Sequence, residues 1–172
     1  MDNTKNAAAV NSLALLALQT AIGQLGQSEQ PKGSNKGEMV NQYLKAVNLN
    51  PGYPWCQAFV FWCYEQAAKK LGAANPVFKT AGALACWNGT AVNFKVLPAD
   101  AMRHPGIIKP GAQFILDYGH GEGHTGIIEA VEGNILRTIE GNSNNDGSRE
   151  GWQVVRHQRS LTSPLLKGII IY

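Results

Sequence analysis

Cysteine is scarce. Three cysteines in 172 residues are too few, and odd in number, for a disulfide framework. Cys56 and Cys63 fall on one predicted helix, about 10 Å apart along its axis and beyond the reach of a bridge, which suits a reducing compartment. Long apolar runs are missing too: no segment approaches the roughly 18 residues of a membrane span, so none is expected. Nor does charge of one sign accumulate. Fifteen Lys and Arg against twelve Asp and Glu leave a net +3, without the basic stripe that nucleic-acid binding uses. Nucleic acid is therefore not an expected partner. The opening "MDNTKNAAAVNSLALLALQTAIGQLG" carries an apolar stretch, but Asp2 cancels Lys5 and no small-x-small cleavage site precedes polar sequence. Synthesis in the cytoplasm without a signal peptide is expected. No internal repeat or low-complexity segment appears.

What is present suits one compact core: 44% hydrophobic residues with 19 glycines, in a chain long enough to bury roughly 70% of its unfolded surface. Leu15, Leu18, Ile22 and Leu25 recur at helical spacing. Asn35 followed by Glu38 reads as a helix start with a capping-box partner, predicting a helix over 36–47. A third helix is predicted over 55–71, closed by Gly72. Residues 73–106 read as mostly irregular, with a short helical possibility around "TAGALACW". From Pro110 onward, "AQFILDY", "HTGIIEAV", "NILRTIE", "WQVVRH" and "LKGIIIY" read as five strands at hairpin-like spacing. Helices first and strands afterward predict an α+β fold, with helices on an antiparallel sheet.

Cys56 follows the Gly/Pro-rich turn "PGYPW" and opens the third helix, where the helix dipole favours a thiolate. Free cysteine is also among the most buried residue types, and Cys63 and Cys86 read as structural. A nucleophilic cysteine needs a base, and the base an orienting group. His104 and His157 read as surface residues and His120 as part of a glycine-rich turn, which leaves His124, at a strand start, as the better-held base. A loop centred on Gly133 would pair His124 with Asn142 and Gly126 with Glu140, putting both polar side chains on the histidine's face. A two-residue Gly133-Asn134 turn would slip this register by one and turn Glu140 away, unless a bulge intervened. With Asn142 accepting from Nδ1–H, Nε2 would face the thiol.

The stretches "PWCQAFVFWCYEQA", "GHTGIIEAV" and "TIEGNSNNDGSREGWQVVRHQR", in that order and at these distances, resemble the CHAP domain, a cysteine, histidine-dependent amidohydrolase/peptidase of the papain-like and NlpC-like group. The resemblance implies a papain-like α+β fold with a sheet of about five strands and cleavage of amide bonds in bacterial peptidoglycan. Matched motif by motif, it implies Cys56, His124, Glu140 and Asn142 as catalytic residues, with Tyr53, Trp55 and Gln57 as weaker candidates for oxyanion or substrate binding. Residues 1–172 would form one catalytic domain, with 1–21 as a helical extension and a monomer as the expected state. No cofactor is expected; "NLNPGYPW" lacks the carboxylates of the loop through which many family members bind calcium. Two alternatives remain: a zinc hydrolase using His120, Glu122 and His124 with Asp117, or an inactive wall-binding module. A wall hydrolase made in the cytoplasm would act after phage lysis, carriage on a virion or injection, the last implying an immunity protein.

Overall fold

The computed structural model describes residues 3–145 and 151–172, with side chains from residue 13 onward; Asp2 and the Lys5 side chain lie outside the described residues. Helices α1 (Asn3–Ile22), α2 (Glu38–Ala46) and α3 (Cys56–Leu71) come first. Short helices α4 (Ala83–Gly89) and α5 (Pro98–Arg103) flank strand β1 (Lys95–Val96). The remaining strands are β2 (Gln113–Gly119), β3 (Glu122–Glu132), β4 (Ile135–Ser143), β5 (Gln153–Ser160) and β6 (Leu166–Ile170). They form an antiparallel sheet in the order β1-β6-β2-β3-β4-β5. This is the α+β arrangement expected, with β1 added at one edge.

Strand alternation divides the core. Ile115, Ile127 and Ile139 join the cluster beneath the helices, which includes Phe59, Cys63 and Tyr64 of α3. Phe114, Leu116, Ile128 and Leu136 belong to a second cluster, with Ala101 of α5. The long central helix α3 is thus wedged between α1 and α2 on one side and β3 and β4 on the other. Gly72 ends it with φ 62°, the left-handed conformation that glycine adopts without a Cβ clash.

Three local expectations are corrected. α1 buries Leu13, Ala14, Ala17, Leu18 and Ala21, and Ile22 and Leu25 pack against the same core, but Leu15 is 45% exposed; the small alanines complete the stripe facing α3 in its place. Asn35 is not a cap: it sits at φ 52° with its N–H donating to Glu29 Oε2, and α2 starts two residues later than predicted, behind Gly37. Residues 73–106 contain α4, α5, β1 and two 3-10 turns, elements too short to show a hydrophobic period.

Candidate active site

Cys56 is the first residue of α3, and the Trp55 side chain before it makes no capping hydrogen bond. The first N–H groups of a helix have no intrahelical acceptor and carry the positive end of its dipole. The backbone just before the cysteine is fixed from the sheet, because the Trp55 N–H donates to Asn142 Oδ1 at 2.9 Å. Asn142 also donates from Nδ2 to Gly151 O at 2.7 Å. Both ends of that amide are thereby committed away from His124, and the expected Asn142–imidazole bond gives way to a grip on the helix start. The cause lies in the backbone: the β4–β5 register shifts between Glu140 and Ser143, and Asn142 adopts φ 54°, which re-aims its side chain.

The β3–β4 hairpin combines the two registers weighed from sequence. Glu132 pairs with Ile135 across a two-residue Gly133-Asn134 turn, but the register shifts between Ile128 and Ala130, so that Ile127 pairs with Ile139. One bulged residue, Glu129, restores the alternation that brings Glu140 to the face of His124. His124 Nε2 and Glu140 Oε2 are 2.8 Å apart. Gly126 makes room for this contact, since a Cβ there would lie 2.8 Å from Glu140 Cγ and 2.7 Å from Ile139 O. Gly141 plays the same part on the other side, where a Cβ would meet Phe59 and Trp55 at 2.7 Å. The glycines of G-H-T-G and E-G-N are therefore steric requirements of the site.

Glu140 is fully buried and held from several directions. Thr138 Oγ1 donates to its Oε1 at 2.7 Å, and Arg159 grips both oxygens, Nε to Oε1 at 2.8 Å and Nη2 to Oε2. Burial alone would raise the Glu140 carboxyl, but hydrogen bonds and charge from His124 and Arg159 outweigh it and hold the group well below the usual carboxylate range. Burial alone would likewise lower His124, but interaction with Cys56 and the bond and charge of Glu140 push it up to about 9. A carboxylate can only accept, so Nε2 carries a proton. Nδ1 is then the nitrogen left for the thiol, the reverse of the tautomer expected with Asn142. Neither Arg159 nor Thr138 was anticipated; in the basic run "RHQR" only His157 was read, as a surface residue. His157 of that run is tied down as well, its Nε2 lying 2.6 Å from Asn144 O.

Cys56 and His124 line a cleft of about 560 Å³ with Tyr53, Leu84, Tyr118 and Glu122 among its walls. Tyr53, 53% exposed, is placed along this cleft. Trp55 and Gln57 are not: both side chains are fully buried. The Trp55 indole N–H donates to Glu29 Oε1 at 2.9 Å, and Gln57 Oε1 accepts from Gln113. The step of about 100° between successive side chains of a helix turns Gln57 away from Cys56 and toward the core. The grouping considered for zinc does not converge. Asp117 pairs with Lys167 at 2.8 Å, His124 with Glu140, and His120 sits in the turn at φ 54°. Among the described residues no three His, Cys, Asp or Glu side chains are grouped to hold a metal ion.

The family model of the CHAP domain matches residues 48–142, more than half of the chain. The chain belongs to the CHAP family. The CHAP match runs from the turn before α3 to Asn142, so it takes in Cys56, His124 and Glu140. No curated protein matches the sequence. Among solved structures, the crystal structure of Ly7917 is similar at 19% identity and a TM-score of 0.47, covering 91% of this chain and 61% of that one. The crystal structure of Ly7917 with the hydrolyzing product of MDP gives 20% identity and a TM-score of 0.45, covering 92% and 62%. The chain thus spans about three fifths of those proteins' length.

Proposed function

We propose that this CHAP domain is a peptidoglycan hydrolase that cleaves an amide bond of the wall peptide with Cys56 as nucleophile. One observation carries the reading: a cysteine at a helix start lines one cleft with a histidine whose Nε2 is held by a buried carboxylate. Cys56 Sγ gives its proton to His124 Nδ1 and attacks the scissile carbonyl carbon. The charge that develops on the carbonyl oxygen is met by the Cys56 backbone N–H at the helix start. The C–N bond breaks as the imidazolium returns the proton to the leaving amine, giving a thioester. Water then attacks the thioester with His124 as base, and the thiol is released. Glu140 keeps the ring in the tautomer with the proton on Nε2 and favours the imidazolium. Asn142, through Trp55, positions the nucleophile without touching the reacting atoms. Residues 1–172 act as one catalytic domain, made in the cytoplasm and reaching the wall after release or secretion.

The test is digestion of purified peptidoglycan by wild type and Cys56→Ala, with mass spectrometry of the fragments. New amine and carboxyl ends from wild type alone support the reading, and their position tells an endopeptidase from an N-acetylmuramoyl-L-alanine amidase. Equal fragment release by both proteins would refute it.

A further inference from the structure

Behind the cleft, on the helix-facing side of the sheet, lies a buried polar cluster that the mechanism above does not use. Gln113 of β2 is at its centre and fully buried. Its Nε2 donates to Gln57 Oε1 at 2.7 Å and to Thr125 Oγ1 at 2.8 Å. Its Oε1 accepts from the Tyr172 hydroxyl at 2.7 Å, with Cys86 Sγ at 3.8 Å. The amide orientation follows from its neighbours. Thr125 donates its hydroxyl proton to Phe114 O at 2.6 Å, so toward Gln113 it accepts and must meet an N–H.

The two residues that take the Nε2 protons are the chain neighbours of the two reacting side chains. Gln57 follows Cys56 on α3, and Thr125 follows His124 on β3. Along a strand, successive side chains point to opposite faces, so Thr125 can be held from the helix side while His124 faces Glu140. We propose that Gln113 is a positioning residue that sets the separation of the Cys56 sulfur and the His124 ring by tying α3 to β3 through one amide group. The proposal rests on the cysteine reading above. It gives a use to a buried amide whose hydrogen-bonding capacity is filled on both sides. With Asn142 holding the Trp55 N–H, both chain neighbours of the nucleophile are anchored to the sheet, and Cys56 alone faces the cleft.

Gln113→Leu would strand the polar groups of Gln57, Thr125 and Tyr172 and endanger folding, so the decisive variant is Thr125→Val, which keeps the shape of the side chain and replaces the hydroxyl with a methyl group. Thr125→Ser, which keeps the hydroxyl, is its control. The readout is the pH dependence of iodoacetamide alkylation at Cys56, followed by peptide mass spectrometry, beside a melting curve; it needs no substrate. Thr125→Val is expected to slow alkylation near neutral pH about tenfold and to move the profile toward that of an ordinary thiol, because small misplacements of paired groups are costly. Thr125→Ser is expected to restore the wild-type profile. A lower melting temperature with an unchanged alkylation profile would overturn the positioning role and leave the cysteine reading intact. A wild-type Cys56 that alkylates like an ordinary thiol would sink the cysteine reading, and the positioning role with it.

Discussion

The first turn of α3 and its third turn carry the same residue type in opposite circumstances. Cys56 is 8% exposed and lines the cleft together with His124. Cys63, two turns on, is fully buried among aromatic and aliphatic side chains, and burial pushes its thiol well above the ordinary value. One helix thus offers a sulfur to chemistry at its start and uses another as packing in its middle. The difference is made by position, not by the cysteine: free N–H groups, an imidazole and a route to solvent at one place, and none of these at the other.

The sharpest way to break this comparison is to remove each sulfur. Cys56→Ala is expected to lower wall hydrolysis at least about a thousandfold, as loss of a nucleophile does, with an unchanged melting temperature. Cys63→Ala is expected to retain activity and cost about 1 kcal/mol of stability through lost packing. Turbidity loss of a peptidoglycan suspension and thermal melts report the two effects, and a matching loss of activity in both variants would erase the distinction.

Next in size is Glu140→Gln, expected to reduce kcat by about tenfold or more. The raised His124 keeps the proton-donating imidazolium populated until pH climbs through about 9. The stability it contributes is present below its ordinary value of 6.5 and lost as pH rises toward 9. Removing the carboxylate charge lowers His124, so the alkaline limb of the pH–rate profile is expected to move to lower pH. An alkaline limb that stays in place would separate Glu140 from the titration of His124.

Asn142→Ala frees the backbone before Cys56 while leaving the His124–Glu140 contact alone. A fall in kcat of several fold, with the alkaline limb unmoved, is expected. A shifted limb would return Asn142 to the imidazole.

The smallest effect on activity near neutral pH is expected for Arg159→Gln. Glu140 is held below its ordinary value of 4.5, so its stabilising contribution is present above that pH and lost as pH falls below it. Without the guanidinium the carboxyl rises, and acid unfolding, followed by circular dichroism, is expected to begin at higher pH.

The legible parts of the site are those set by local sequence. The Gly/Pro turn before Cys56, Gly72 at the end of α3 and the alternation through His124 each speak within a few residues, and all appear where expected. Glu140 was legible only conditionally, because a bulge at Glu129 decides its face and no residue type marks a bulge. Asn142 was misread for the same reason one bulge later. Arg159 sits on the face of Glu140 because Glu140 pairs with Val155, but β4 ends at Ser143 and β5 begins only at Gln153. The sequence therefore does not set that register, and an arginine in a basic run gives no sign of reaching inward. Gln113 and Gln57 were missed as a pair because a glutamine in a strand or helix reads as exposed until its partners across the core are known.

The most direct measurement is site-resolved alkylation of the wild-type protein near neutral pH, in which iodoacetamide incorporation at Cys56, Cys63 and Cys86 is counted by mass spectrometry while peptidoglycan hydrolysis is followed in the same samples. Activity is predicted to fall in step with modification of Cys56, with Cys63 and Cys86 still unmodified when hydrolysis has ceased. Full modification of Cys56 with hydrolysis intact would contradict the assignment of the nucleophile.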